Sequence, residues 1–143
     1  MEAIWFNSGT LAFYPEKAEA VLKTDPALRA EIEAEIGAPP DARPKMRALI
    51  MEMLRLHSRI ASVNYLVDGK PTFALIATAV MDADRFPDPE KVVLTRDPSD
   101  SVSFAIPSPH RSCPGKDLAP EVMAAVLAYL LRQGAGARAH VAA

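Results

Sequence analysis

Residues 106 to 119 read Ile106-Pro107-Ser108-Pro109-His110-Arg111-Ser112-Cys113-Pro114-Gly115-Lys116-Asp117-Leu118-Ala119, and this stretch decides how the rest of the chain is read. It holds the one cysteine and leads directly into an apolar segment of helical period, from about Leu118 to Gln133. Val122, Val126, Leu127, Leu130 and Leu131 give that segment a wide apolar face, and Pro120 is tolerable only in its first turn. A cysteine just ahead of such a helix sees free amide donors and the positive end of the helix dipole, which favour the thiolate. Pro114 has no N–H to give, so Gly115 and the residues after it must supply the donors. Gly115 also permits a flat ligand to approach the backbone closely. Arg111, two residues before the cysteine, offers a charge-assisted bond to a carboxylate.

Composition narrows the alternatives. At 143 residues the chain is expected to be one region, 1–143, half of it apolar and 24% charged, as in an ordinary soluble protein. A formal net charge of −2 provides no general field for nucleic acid or an anionic membrane. No apolar run reaches the ~18 residues of a membrane span. Met1 to Phe6 lacks a basic lead and a long apolar stretch, so no signal peptide is expected and the location expected is cytoplasmic. A single cysteine excludes an internal disulfide framework and a multi-cysteine zinc site. His57, His110 and His140 are scattered and complete no metal set, and Ser101, Ser103 and Ser108 lack a nucleophile elbow.

Upstream, Met1 to Phe13 reads as the end of a buried helix that meets Tyr14-Pro15. Asp25 and Pro26 are the N-cap and first residue of a second helix, in which Leu28, Ile32 and Ile36 recur and which Gly37 closes. Glu31, Glu33 and Glu35 read as a solvated face. The clearest helix runs from about Ala42 to His57, with Met46, Leu49, Ile50, Met53 and Leu56 on one stripe and Glu52 and Arg55 three apart on another side. Ala61 to Val67 and Thr72 to Val80 flank Asp68-Gly69 and predict a β-hairpin, with Pro71 at an edge. Met81 to Ser112 has little periodicity, but Phe86, Val92, Val93, Leu94, Phe104 and Ile106 predict an ordered loop. Gly134 to Ala143 reads as a frayed tail.

Cys113-x-Gly115-x-x-Leu118-Ala119, with Arg111 before it, resembles the heme-ligand loop of the cytochrome P-450 family. Ile106, Pro107 and Pro109 depart from that family's usual phenylalanine and glycines. Two further motifs stand in family order: Glu52-x-x-Arg55 matches its Glu-x-x-Arg pair, and Phe86-Pro87-Asp88-Pro89-Glu90-Lys91 resembles its proline-rich meander, with Lys91 in place of the usual arginine. The resemblance covers about Ala20 to Gln133 and only the C-terminal third or so of a typical member.

The resemblance implies a mostly α, α+β fold: three to four helices, a small β-hairpin and a long ordered loop before the cysteine. It implies heme b bound through Cys113 as the iron ligand, with Arg111 at a propionate and Gly115 beside the macrocycle. It implies Glu52, Arg55 and Lys91 as structural supports, with a looser lock from lysine than from arginine. The implied activity is that of an oxidoreductase or monooxygenase acting on a hydrophobic small molecule. Phe6-Asn7 and Cys113-Pro114-Gly115 also resemble the branch that rearranges fatty-acid hydroperoxides without oxygen or a reductase, with Asn7 orienting the peroxide. The alternative is a non-enzymatic truncated relic, or half of a split enzyme whose missing part comes from a partner chain or a homo-oligomer.

Overall fold

The computed structural model describes residues 2–60, 62–97, 113 and 115–141; the side chains of residues 2–8, 63, 65 and 135–141 lie outside that description. The element order is α1 (Glu2–Thr24), α2 (Pro26–Glu33), a 3-10 turn (Pro40–Ala42), α3 (Pro44–Leu56), β1 (Ser62–Val67), β2 (Lys70–Leu75), α4 (Ile76–Ala79) and α5 (Leu118–Val141). α1, α3 and α5 pack on one another around the main core. Tyr14, Ala18 and Leu22 of α1, Met46, Leu49, Ile50 and Met53 of α3, and Met123, Leu127 and Leu131 of α5 are buried there, with Ile32 of α2 against them. Each such large side chain contributes about 1.5–3 kcal/mol relative to exposure. The α3 stripe is the one its sequence predicts, with Leu56 half-buried at its end.

Several boundaries differ from the sequence reading, and burial accounts for those at Pro15 and at Ile76. α1 does not stop at Tyr14-Pro15 but continues to Thr24. Pro15 is fully buried, and the apolar contacts of its turn outweigh the one backbone bond it removes. α2 starts where expected, with Asp25 Oδ1 accepting the Leu28 N–H at 2.9 Å. It ends at Glu33 rather than Gly37, and residues 34–37 follow as turns without positive φ. The strand expected over Thr72 to Val80 ends at Leu75, and Ile76–Ala79 winds into one helical turn. Ile76 and Val80, four residues apart, are thereby both buried, which a strand's alternation does not achieve so compactly. The tail expected to fray is helical as far as Val141.

The hairpin turn is as predicted. Asp68 (φ 49°) and Gly69 (φ 74°) both occupy the left-handed region, as a two-residue type I′ connection needs. The antiparallel register pairs Val67 with Lys70, Leu66 with Pro71 and Asn64 with Phe73. Leu66, Phe73 and Leu75 therefore share a face, and they are 72%, 63% and 60% exposed.

The start of α3 shows how a loop-side acid fixes a helix. Its N-cap residue, Arg43, makes no side-chain cap, and Pro44 occupies the first turn. Glu35 fills the vacancy from another segment: Oε1 accepts the Lys45 N–H at 3.0 Å and Oε2 the Met46 N–H at 2.8 Å. Glu31 pairs with the exposed Lys45 ammonium at 2.8 Å, and Glu33 with Arg29 at 2.7 Å. The acidic run is thus a set of specific contacts and not merely a solvated face. Glu35→Ala is expected to lower unfolding free energy by about 1 kcal/mol, the usual worth of an N-cap. Glu31→Ala, at an exposed pair, should change it by less than about 0.5 kcal/mol; urea unfolding of both variants makes the comparison.

Candidate functional site

Glu52 and Arg55 lie one turn apart on α3, on the side facing the segment from Val80 to Asp97 rather than the helical core. Both are buried, at 4% and 2% exposure. Arg55 holds Glu52 with a two-pronged fork, Nε to Oε1 at 2.9 Å and Nη2 to Oε2 at 3.0 Å. Its remaining N–H groups are donated to main-chain carbonyls: Nη1 to Val80 at 3.0 Å and Pro89 at 2.6 Å, Nη2 to Lys91 at 3.1 Å. All five guanidinium donors are used. The Phe86 ring, itself buried, lies 5.3 Å from the guanidinium carbon. The pair is a buried anchor for a loop.

Glu52 has further partners. Its Oε2 accepts the Val93 N–H at 3.0 Å and Arg96 Nε at 3.3 Å. Arg96 Nη2 reaches the carbonyls of Pro87 at 2.7 Å and Asp88 at 3.0 Å. Arg96, then, is the second cation of the network. The structure corrects the role expected of Lys91: its ammonium pairs with Asp88 at 3.1 Å in solvent, with both side chains largely exposed. Lys91 supports the network only through its backbone carbonyl. The reason is geometric, because a planar fork can serve a carboxylate and two carbonyls together where a single ammonium cannot. The sequence signal was available, since Arg96 is the one arginine between Phe86 and Asp97.

Cys113 is a free thiol and half-buried. Its carbonyl accepts the Lys116 N–H at 3.2 Å and the Gly115 carbonyl accepts the Ala119 N–H at 2.7 Å, so a tight turn carries the chain from the sulfur into α5. A Cβ added at Gly115 would meet only Cys113 Sγ, at 3.8 Å, among the described residues. The next apolar side chain, Leu118, is 67% exposed. Among the described residues no group of three or more His, Cys, Asp or Glu is arranged to hold a metal ion. Arg111 lies outside the described residues, and Asn7 is in α1 with its side chain outside the description.

A solved cytochrome P450, CYP109Q5 from Chondromyces apiculatus, superposes on 85% of this chain with a TM-score of 0.64 at 22% identity. The chain has the fold of the C-terminal portion of a cytochrome P450. It spans 32% of the length of that P450 structure. No protein-family profile and no curated protein matches the chain. Mostly helical with one small antiparallel hairpin, the architecture agrees with the expected fold class, and the single-turn α4 adds to the three or four helices foreseen. The P450 likeness bears on the fold and does not distinguish the hydroperoxide branch. No described helix is long and apolar enough to cross a membrane.

Arg55→Ala would leave a buried carboxylate and several buried carbonyls unpaired and is expected to cost about 3–5 kcal/mol. Arg96→Ala, which removes three charge-assisted or carbonyl bonds, should cost about 1.5–3 kcal/mol. Lys91→Ala should stay within about 0.5 kcal/mol. Chemical denaturation of the three variants checks the order, and an equal cost for Lys91→Ala and Arg96→Ala would contradict the arrangement.

Proposed function

We propose that this chain binds heme b through the Cys113 thiolate and takes part in heme-thiolate oxidation of a hydrophobic small molecule. The observation that supports the reading best is a half-buried free cysteine set one turn ahead of α5 in a P450 fold. When bound, a thiolate-ligated heme supplies electron density that favours cleavage of an O–O bond.

The chain's own residues have three tasks in this reading. Cys113 presents its sulfur one turn ahead of the N-terminal end of α5 as the iron ligand. Gly115 keeps the backbone next to the sulfur clear of a side chain, and Arg111 neutralises a propionate. Glu52, Arg55 and Arg96 touch no reactant; they fix the segment from Val80 to Arg96 so that the chain enters the cysteine loop along one path.

The test is the carbon-monoxide difference spectrum of the reduced, heme-loaded chain beside Cys113→Ser. A thiolate-type band is expected in the parent and none in the serine variant. A well-folded chain that takes up no heme, or an identical spectrum from Cys113→Ser, would reject the proposal.

A further inference from the structure

A second concavity lies at the other end of α3 from its Glu35 cap, at the junction of α1, α3 and α4. Its volume is about 330 Å³, within the range of small-ligand sites. Phe13 and Lys17, one turn apart on α1, form one wall; the chain leaving α3 through His57, Ser58 and Arg59 forms another. Leu56, Ala77, Val80 and Met81 contribute the apolar surface.

The charges in this cleft are of one sign. The Arg59 guanidinium lies over the Phe13 ring, 5.2 Å from its centroid, and the Lys17 ammonium lies 5.3 Å from the same centroid. Among the described residues neither cation has a carboxylate partner, and none of those that line the cleft is an aspartate or glutamate. The third lining cation, Arg55, is neutralised by Glu52. Arg59 is held in place from its backbone, where its N–H is donated to the Tyr14 hydroxyl at 3.3 Å. Its Nη1 reaches back along α1 to Gly9, where an added Cβ would sit 3.7 Å away. His57 meets Phe13 edge-on at 6.5 Å. Burial and the nearby Lys17 hold its imidazole below the ordinary histidine range, so near neutral pH it offers a donor without adding charge.

We propose that this cleft binds an organic carboxylate with an apolar body, its head between Lys17 and Arg59 and its chain against Phe13, Leu56 and Met81. Two cations on one aromatic ring, in a cleft whose described lining residues include no acid, favour an anion. Leu56, Ala77, Val80 and Met81, beside the polar His57 and Ser58, give such an anion an apolar surface for its body, which favours an amphipathic anion over a bare one. The inference does not rest on heme binding, because none of its residues belongs to the Cys113 loop.

Octanoate titrated into the full chain, followed by calorimetry and by the NMR shift of the His57 ring, tests it. Saturable binding with a His57 shift is expected, and octanol, which lacks the charge, should bind at least about tenfold more weakly. Arg59→Gln and Lys17→Gln should each weaken octanoate by about tenfold without lowering the thermal midpoint, since neither side chain is in the core. Inorganic phosphate should bind more weakly than octanoate. No saturable binding at millimolar octanoate, binding without a His57 shift, equal affinity for octanol, equal affinity for phosphate, or unchanged affinity in both variants would each overturn the proposal.

Discussion

A guanidinium that is 2% exposed must have every N–H satisfied, and Arg55 meets that requirement with one carboxylate and three carbonyls drawn from Val80, Pro89 and Lys91. The requirement is severe because an unpaired charge in the interior costs several kcal/mol. It converts a segment with few apolar anchors into a defined path. Pro87, Asp88 and Pro89 supply rigid corners, Asp88 taking a positive φ, and Phe86 covers the guanidinium. Glu52 completes the set by gripping Arg96 and the Val93 amide. Every group in this network has its partner, the condition under which a buried polar cluster specifies one arrangement rather than loosening the core.

The two halves of the molecule are thereby stabilised by different physics. The bundle of α1, α3 and α5 rests on apolar burial, which is non-directional and tolerant of small shifts. The segment from Val80 to Arg96 rests on directional bonds to two side chains of α3. The bundle and the segment share α3, whose apolar stripe faces one and whose Glu52 and Arg55 face the other. A site at the start of α5 inherits its position from both.

Much of this was legible beforehand because the signals were local. The apolar stripe of α3, Asp25-Pro26 at the start of α2 and Asp68-Gly69 in the hairpin each act within a few residues, and each is where the pattern put it. The Cys113 turn into α5 also followed from its immediate neighbours. What was not legible depended on partners distant in sequence. Pro15 is a helix breaker until the core that buries it is known. The carboxylate that caps α3 is Glu35, ten residues before Lys45, where no capping pattern reaches. Lys91 occupied the expected motif position, but the second cation that Glu52 holds, after Arg55, is Arg96. Period could not reveal that the apolar run after Phe73 would bend into a helical turn to bury Ile76 and Val80 together.

The hairpin bears on how the chain behaves in solution. Among the described residues its two strands have no third neighbour, and Leu66, Phe73 and Leu75 lie exposed on one face. Such a ribbon is marginal alone and a ready template for another strand. Self-association would therefore begin at this corner, rise with protein concentration, and yield to a mild detergent or a charged residue in place of Phe73 while the helical bundle stays intact.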